Sequence, residues 1–173
     1  MATMVVSANT SALRGEFKEE AKITRRSLER VPADKLAWRP HPKSMTLGQL
    51  AWHVATIPAG ISRIASQDSF DVLKGSFVPA QPASLEEILS AYEQGVLDAE
   101  KFLSGMTDER AGQDWTLFRG EKKIFTQPRL NVVRSIMLNH WYHHRGQLSV
   151  YLRLLDVAVP VIYGRSADED PFA

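Results

Sequence analysis

Three histidines have the chemistry and the spacing of metal ligands: His53, His140 and His144. His140 and His144 are four residues apart, so in a helix both imidazoles leave the same face one turn apart. His53 lies in a separate apolar segment, residues 50–55. One histidine from one helix and a pair from another supply three of the four ligands of a tetrahedral site, and an open fourth position is typical of catalytic rather than structural sites. The functional prediction therefore depends on whether these three imidazoles converge.

A divalent ion held by three neutral imidazoles would bind water or a thiol in the open position. It would lower the pKa of that ligand and present it as a nucleophile at neutral pH. Hydrolysis and thiol transfer both follow from this chemistry. Imidazole accepts several borderline ions, with zinc and nickel as the leading candidates.

Other readings of the histidines are weaker. A zinc-protease motif needs Glu directly after the first histidine of the pair, and Trp141 occupies that position. His143 lies directly before His144, and on a helix its side chain points about 100 degrees away from that of His144. It is therefore not expected to share the site. His41 lies between Pro40 and Pro42 in a loop and is expected to face solvent or to form a cap.

Two alternatives to an enzyme remain open at this level. The first is a non-catalytic bundle that binds a metal or senses a small molecule, and the lack of an evident partner base near the histidines favours it somewhat. The second is a structural bundle whose histidines form a hydrogen-bonded polar layer. No Asp or Glu lies on the histidine face of the fourth helical segment, so the general acid or base is not identified.

Composition excludes several classes of function. The chain has 173 residues, no cysteine and a net charge of +1. The absence of cysteine excludes disulfides, thiolate nucleophiles and Cys-ligated zinc, and the balanced charge gives no reason to expect a nucleic acid or an acidic membrane. No apolar run reaches the length of a membrane helix, and the N-terminus lacks the pattern of a signal peptide. A cytoplasmic protein acting on a small molecule is expected.

The histidines must be positioned by helices. Apolar residues recur at helical spacing in four segments, and this pattern predicts an all-α four-helix bundle in one domain. Residues 67–83 are predicted to form a crossover loop, and residues 112–127 lack helical periodicity and are predicted to form a short hairpin. The predicted helices cover about residues 10–30, 46–64, 84–105 and 128–155.

Local signals refine the second and third helices. Thr46 with Gln49, and Ser84 with Glu87, have the spacing of capping boxes at the two helix starts. Pro58 lies inside the second helix, where it should kink the helix and free the carbonyl of Val54.

Three stretches resemble the DinB-like (YfiT-like) metalloenzyme family. Residues 38–53, Trp-Arg-Pro-His-Pro-Lys-Ser-Met-Thr-Leu-Gly-Gln-Leu-Ala-Trp-His, are similar to the family's entry into its second helix. Residues 139–148 contain a histidine followed by His-Arg-Gly-Gln, which resembles the fourth-helix signature. Residues 160–164 and 166–169 resemble the end of many members.

The resemblance covers nearly the whole chain and implies a single four-helix-bundle domain over residues 1–173 with up-down-down-up topology, often dimeric. It implies a divalent metal held by His53, His140 and His144. The family includes thiol-dependent transferases and a mycothiol-dependent maleylpyruvate isomerase, so a low-molecular-weight thiol is a candidate cofactor. No separate motif in this chain identifies a thiol cofactor or a substrate.

Overall fold

The protein is mostly helical, with one small sheet. The computed structural model describes the backbone of residues 2–76 and 78–172 and the side chains of residues 10–76 and 78–172. The predicted helical bundle is confirmed, and its long helices bury one continuous apolar core. The helices are α1 (Ala2–Glu29), α2 (Leu47–Ser66), α3 (Leu85–Ser104), α4 (Asp108–Gly112), α5 (Arg129–Val132) and α6 (His140–Leu154).

The starts of α2 and α3 follow the predicted caps, with one difference. Thr46 accepts from the backbone N–H of Gln49 at 3.1 Å, and the Gln49 side chain accepts from the backbone of Thr46 at 3.0 Å, which completes the capping box. Ser84 likewise accepts from the backbone of Glu87 at 3.1 Å. The Glu87 carboxylate, however, accepts from the backbone of Ala83 at 2.7 Å, one residue before the cap.

Helix α2 contains Pro58, and the backbone group that this residue frees has a partner. Because proline has no N–H, the carbonyl of Val54, four residues earlier, loses its usual intrahelical donor. The indole N–H of Trp141 donates to that carbonyl at 2.8 Å. Pro58 of α2 therefore leaves free the acceptor that binds α6.

The final helical region has three consecutive parts. Helix α5 continues into a π-helical stretch, Val133–Asn139, and this stretch leads directly into α6 at His140. Each π turn holds more residues than an α turn, and such turns occur often at functional sites. The predicted continuous helix is thus present, but its middle part, Val133–Asn139, has a wider winding than an α-helix.

The sheet adds a strand to the predicted hairpin. Strands β2 (Asp114–Arg119) and β3 (Lys122–Pro128) pair in antiparallel fashion, as expected from the sequence. A third strand, β1 (Ser69–Asp71), lies in the segment predicted to be a loop and pairs in parallel with β2. The side chain of Asp71 accepts from the backbone of Gly120 at 2.9 Å, and this bond ties the crossover to the hairpin turn.

Buried side chains join these elements into two apolar clusters. In the main core Phe17 of α1 stacks on Trp141 of α6, with ring centroids 5.3 Å apart. A smaller cluster around the buried Trp115 joins the sheet to the end of α2 and to α5. The buried Arg129 donates to the backbone carbonyls of Ala65 and Gln67, which fixes the end of α2 against α5. Among the described residues, every helix is too short or too polar to traverse a lipid bilayer.

Candidate metal centre

The three predicted histidines meet between α2 and α6. The Nε2 atom of His140 lies 3.3 Å from Nε2 of His53 and 2.8 Å from Nε2 of His144. The ring centroids of His53 and His144 are 4.4 Å apart. Among the described residues these histidines form the one group of three or more His, Cys, Asp or Glu side chains that could hold a metal ion. Residues 87 positions apart in sequence therefore contribute to a single cluster.

The neighbours of the cluster fix its orientation. His53 directly precedes Val54, and His140 directly precedes Trp141. The bond from Trp141 to the Val54 carbonyl therefore joins α2 to α6 next to both histidines. This arrangement explains why the two rings face each other, since neither helix can slide or rotate without losing that bond.

Hydrogen bonds outside the cluster assign the ring protons. Nδ1 of His144 is 2.7 Å from the side-chain oxygen of Gln147, and because an amide oxygen only accepts, this Nδ1 carries the proton. The ring of His140 hydrogen-bonds the backbone of Ile136, through the nitrogen that faces away from the cluster. The Nε2 lone pairs of both rings then point into the same space, as in histidines that ligate a metal.

The electrostatics keep the imidazoles neutral. Burial, followed by the neighbouring His144 and His140, lowers the pKa of His53 to about 4. Burial is also the main cause of the lowered pKa of His140 and of His144. Neutral imidazole is the form that binds a metal.

The donor set fits a divalent ion. Two nitrogens about 2.0–2.1 Å from an ion in tetrahedral geometry lie about 3.3 Å from each other. The Nε2–Nε2 distance between His53 and His140, 3.3 Å, equals that spacing, and the distance between His140 and His144, 2.8 Å, is shorter than it. Two acceptor lone pairs 2.8 Å apart repel each other, and a cation between them replaces this repulsion by attraction.

The other two histidines lie elsewhere. His143 is exposed, and its ring packs 4.9 Å from the His144 ring without joining the cluster. His41 is exposed in its loop, where its Nδ1 accepts from the backbone of Lys43 at 3.2 Å. Both positions agree with the sequence-based expectation that these residues do not share the site.

Arg145, next to the histidine pair, has a structural partner. It is buried and forms an ion pair of 2.6 Å with Glu20 of α1. Its guanidinium also donates to Thr24 at 3.0 Å and to the hydroxyl of Tyr163. The charge of Arg145 is therefore compensated by a neighbouring helix of the bundle.

A cleft of about 310 Å³ begins at the histidines. One face of α2 lines it with His53, Ile57, Ile61 and Ile64. From His53 to Ile64 the helix rises by about 16 Å. His140 and Ile136 line it from the last helical region, and Phe70, Trp115 and Leu117 line it from the sheet.

Sequence reasoning missed two features of this site. The first is Gln147 as the partner of His144, for which the spacing of three residues on one helix was an available signal. The second is the cleft wall formed by Phe70, Trp115 and Leu117. The lack of helical periodicity in residues 112–127 favoured a hairpin, but no local pattern indicates that a sheet packs beside the histidines.

Known proteins are similar to this chain in sequence and in structure. The protein YrdA of Bacillus subtilis (strain 168) is 27% identical over 150 residues, which cover 87% of this chain and 85% of YrdA. A crystal structure of a DinB-like protein from Bacillus cereus ATCC 10987 superposes with a TM-score of 0.67 at 24% identity, over 88% of this chain and 97% of that one. The DinB-like protein YjoA of Bacillus subtilis gives a TM-score of 0.69 at 15% identity, over 88% of this chain and 96% of that one.

These two structures support the fold. The family assignment comes from the sequence itself, because the model of the DinB family matches residues 4–170, nearly the whole length. The chain therefore belongs to the DinB family.

Proposed function

We propose that this protein is a metal-dependent enzyme of the hydrolase or thiol S-transferase type, with His53, His140 and His144 as the ligands of one divalent ion. The observation that carries the proposal is the convergence of three Nε2 atoms from two helices, with neighbouring Nε2 atoms 2.8 and 3.3 Å apart. Zinc and nickel are the leading candidates for the ion.

Each residue has a distinct task in this proposal. The three histidines supply neutral nitrogen ligands, and Gln147 and the backbone of Ile136 hold two of the rings in the ligating tautomer. When bound, the ion would lower the pKa of a water or thiol at its open position and so provide a nucleophile at neutral pH. The cleft beside His53 and His140 would hold the substrate against this position.

Metal content tests the ligand set. Tag-free protein is expected to contain about one equivalent of zinc or nickel per chain by elemental analysis, because three preformed ligands bind with little reorganisation. His53→Ala and His144→Ala should lose the ion. His41→Ala is the matched control, since this exposed histidine lies outside the cluster, and it should keep the ion. Folded protein that takes up no metal would overturn the proposal.

Turnover assays test catalysis separately. Metal-loaded protein is assayed with low-molecular-weight thiols and electrophiles, and with amides and esters, and His144→Ala should abolish any activity found.

A non-catalytic metal-binding or small-molecule-sensing bundle is the second candidate. It is favoured by one observation: the described residues that line the cleft include no Asp, Glu, Lys or Arg. Inactivity across all of these substrates with one ion per chain bound supports the second candidate.

We also propose that the protein is a homodimer, as the family resemblance implies. Exposed apolar side chains are available for such a contact, among them Leu97 of α3 and Val150 and Leu154 of α6. Light scattering at micromolar concentration should then give twice the chain mass of 19.4 kDa. A particle of 19.4 kDa would contradict the dimer and leave the metal site unaffected.

A further inference from the structure

The wall of the cleft differs sharply from its histidine end. The side chains of α2 that line it beyond His53 are mainly Ile57, Ile61 and Ile64, and Phe70 and Leu117 line it from the sheet. None of the described residues that line it carries a formal charge at neutral pH. An ionised group of a ligand would therefore lose its water there without gaining a partner, which is costly.

Two of the polar groups in the wall already have partners within the protein. The hydroxyl of Thr56 donates to the carbonyl of Trp52 at 2.8 Å. The indole N–H of Trp115 donates to the carbonyl of Ile64 at 3.3 Å. Apart from the hydroxyl of Ser76, recognition of a polar ligand group is thus concentrated at the end where His53 and His140 lie.

The cleft is also small. Ligand pockets commonly have volumes of about 300–1,000 Å³, and this one, with about 310 Å³, is at the lower limit. A compact ligand with a single polar head fits such a volume.

We infer that the cleft holds the apolar body of a small, uncharged substrate, whose electron-pair-donating head lies at the end formed by His53 and His140, where it would face the ion of the proposed function. This inference rests on the proposed function and adds the substrate class to it. An aliphatic or aromatic acyl compound, with a carbonyl or an equivalent oxygen at one end, has this shape. A ligand with a second, ionised end does not.

Gly60 offers a way to fill the cleft without disturbing the fold. It lines the cleft from α2, and a Cβ atom built there meets nothing within 4 Å. Leucine also has a higher helix propensity than glycine. Gly60→Leu should therefore fold and occupy the space of the ligand. Gly15→Leu is the matched control, because Gly15 is an exposed helical glycine of α1 with equally open surroundings.

The test uses hydroxamic acids, which share one metal-binding head. Zinc-loaded protein is titrated by calorimetry with acetohydroxamic, butanohydroxamic and hexanohydroxamic acid, and with the monohydroxamic acid of adipic acid, which ends in a carboxylate. Affinity should rise by up to about fourfold for each added methylene. We expect the carboxylate compound to bind at least tenfold more weakly than hexanohydroxamic acid.

The variants complete the test. Gly60→Leu should bind hexanohydroxamic acid no better than acetohydroxamic acid while retaining its zinc, and Gly15→Leu should behave as the unmodified protein. Equal affinity for the neutral and the carboxylate compound, or affinity independent of chain length, would overturn the inference even if zinc is bound.

Failure of the metal site is distinguishable from failure of the cleft. Protein that takes up no zinc contradicts the proposed function. Hexan-1-ol and 6-hydroxyhexanoate then test the cleft without a metal, through the indole N–H resonance of Trp115, which lines it. A shift of this resonance with hexan-1-ol alone supports the inference, and equal shifts with both compounds or with neither overturn it.

Discussion

At the scale of single residues, protonation controls the site. Three imidazoles within hydrogen-bonding distance cannot all be charged, and burial further disfavours the charged form. The pKa of His53 falls to about 4 for these reasons, and burial also lowers the pKa values of His140 and His144. The cluster is therefore prepared to bind a cation at neutral pH and is prone to lose stability in acid.

The lowered pKa of His53 predicts a pH dependence of stability. Its folded-state pKa of about 4 lies below the unfolded value of about 6.5, so the unfolded chain binds the extra proton first. The free energy of unfolding of metal-free protein should be constant above pH 6.5 and decrease as the pH falls from 6.5 towards 4. Urea titrations across this range measure it. His53→Gln should show a shallower decrease, and an identical pH profile in this variant would contradict the assignment.

Gln147 predicts a change in metal affinity without a change in the ligands. Its amide oxygen holds Nδ1 of His144 at 2.7 Å, and loss of such a partner commonly weakens metal binding by about tenfold or more. Gln147→Leu should therefore bind zinc at least tenfold more weakly in a competition titration with a chelator. Gln94→Leu changes an exposed glutamine of α3 that bonds Asp98 instead, and its zinc affinity should be unchanged.

At the scale of elements, the site depends on the contact between a helix that contains a proline and one that follows a π-helical stretch. Pro58 frees the Val54 carbonyl in α2, and Trp141 of α6 occupies it. The π-helical stretch Val133–Asn139 ends directly before His140. Both departures from regular α-helix thus lie within one or two turns of a metal-ligand candidate, where they decide which way the helix faces.

Trp141 and Pro58 form a testable pair. Trp141→Phe removes the donor to the buried carbonyl of Val54 and should lower the free energy of unfolding by about 1–3 kcal/mol. It should also weaken zinc binding, because the bond that joins α2 to α6 beside His53 and His140 is lost. Pro58→Ala restores a backbone N–H four residues after Val54. The double variant should therefore be more stable than Trp141→Phe alone. Additive losses in a double-mutant cycle measured by urea unfolding would contradict this coupling.

At the scale of the whole molecule, buried polar contacts connect the bundle to its C-terminal segment. Arg145 of α6 pairs with Glu20 of α1, and the hydroxyl of Tyr163 bonds both partners. Further along, the carboxylate of Asp168 accepts from Arg153 and from the backbone of Val159. The segment after α6 is thereby held against the same helix that carries two of the histidines.

Arg145→Ala should be strongly destabilising. Removing one partner of a buried ion pair leaves the other charge uncompensated and commonly costs about 3–5 kcal/mol. Thermal and urea unfolding should show a loss of this size. Arg153→Ala is the control, since Arg153 is an exposed arginine of the same helix, with its side chain 48% accessible. Exposed ion pairs contribute only about 0–1 kcal/mol to the free energy of unfolding. Equal losses in the two variants would contradict the structural role of Arg145.

Much of the molecule follows from the sequence alone. Apolar residues at helical spacing determined the helices, because an amphipathic helix must bury its apolar face. Local hydrogen-bond chemistry determined the start of α2 at Thr46, and the missing N–H of Pro58 determined that the Val54 carbonyl needed another donor. The pair His140 and His144 needed only the helical repeat to lie on one face.

Tertiary structure decided what the pattern could not. That His53 reaches the pair depends on how α2 packs on α6, and that Trp141 is the donor to Val54 depends on the same contact. Residues 67–83 carry no strong sequence signal for a strand. Strand β1 forms there because β2 offers an edge with which it can pair. The cleft likewise exists only where the sheet meets α2. Local sequence encodes which groups a segment presents, whereas distances between segments arise only when their buried faces pack together.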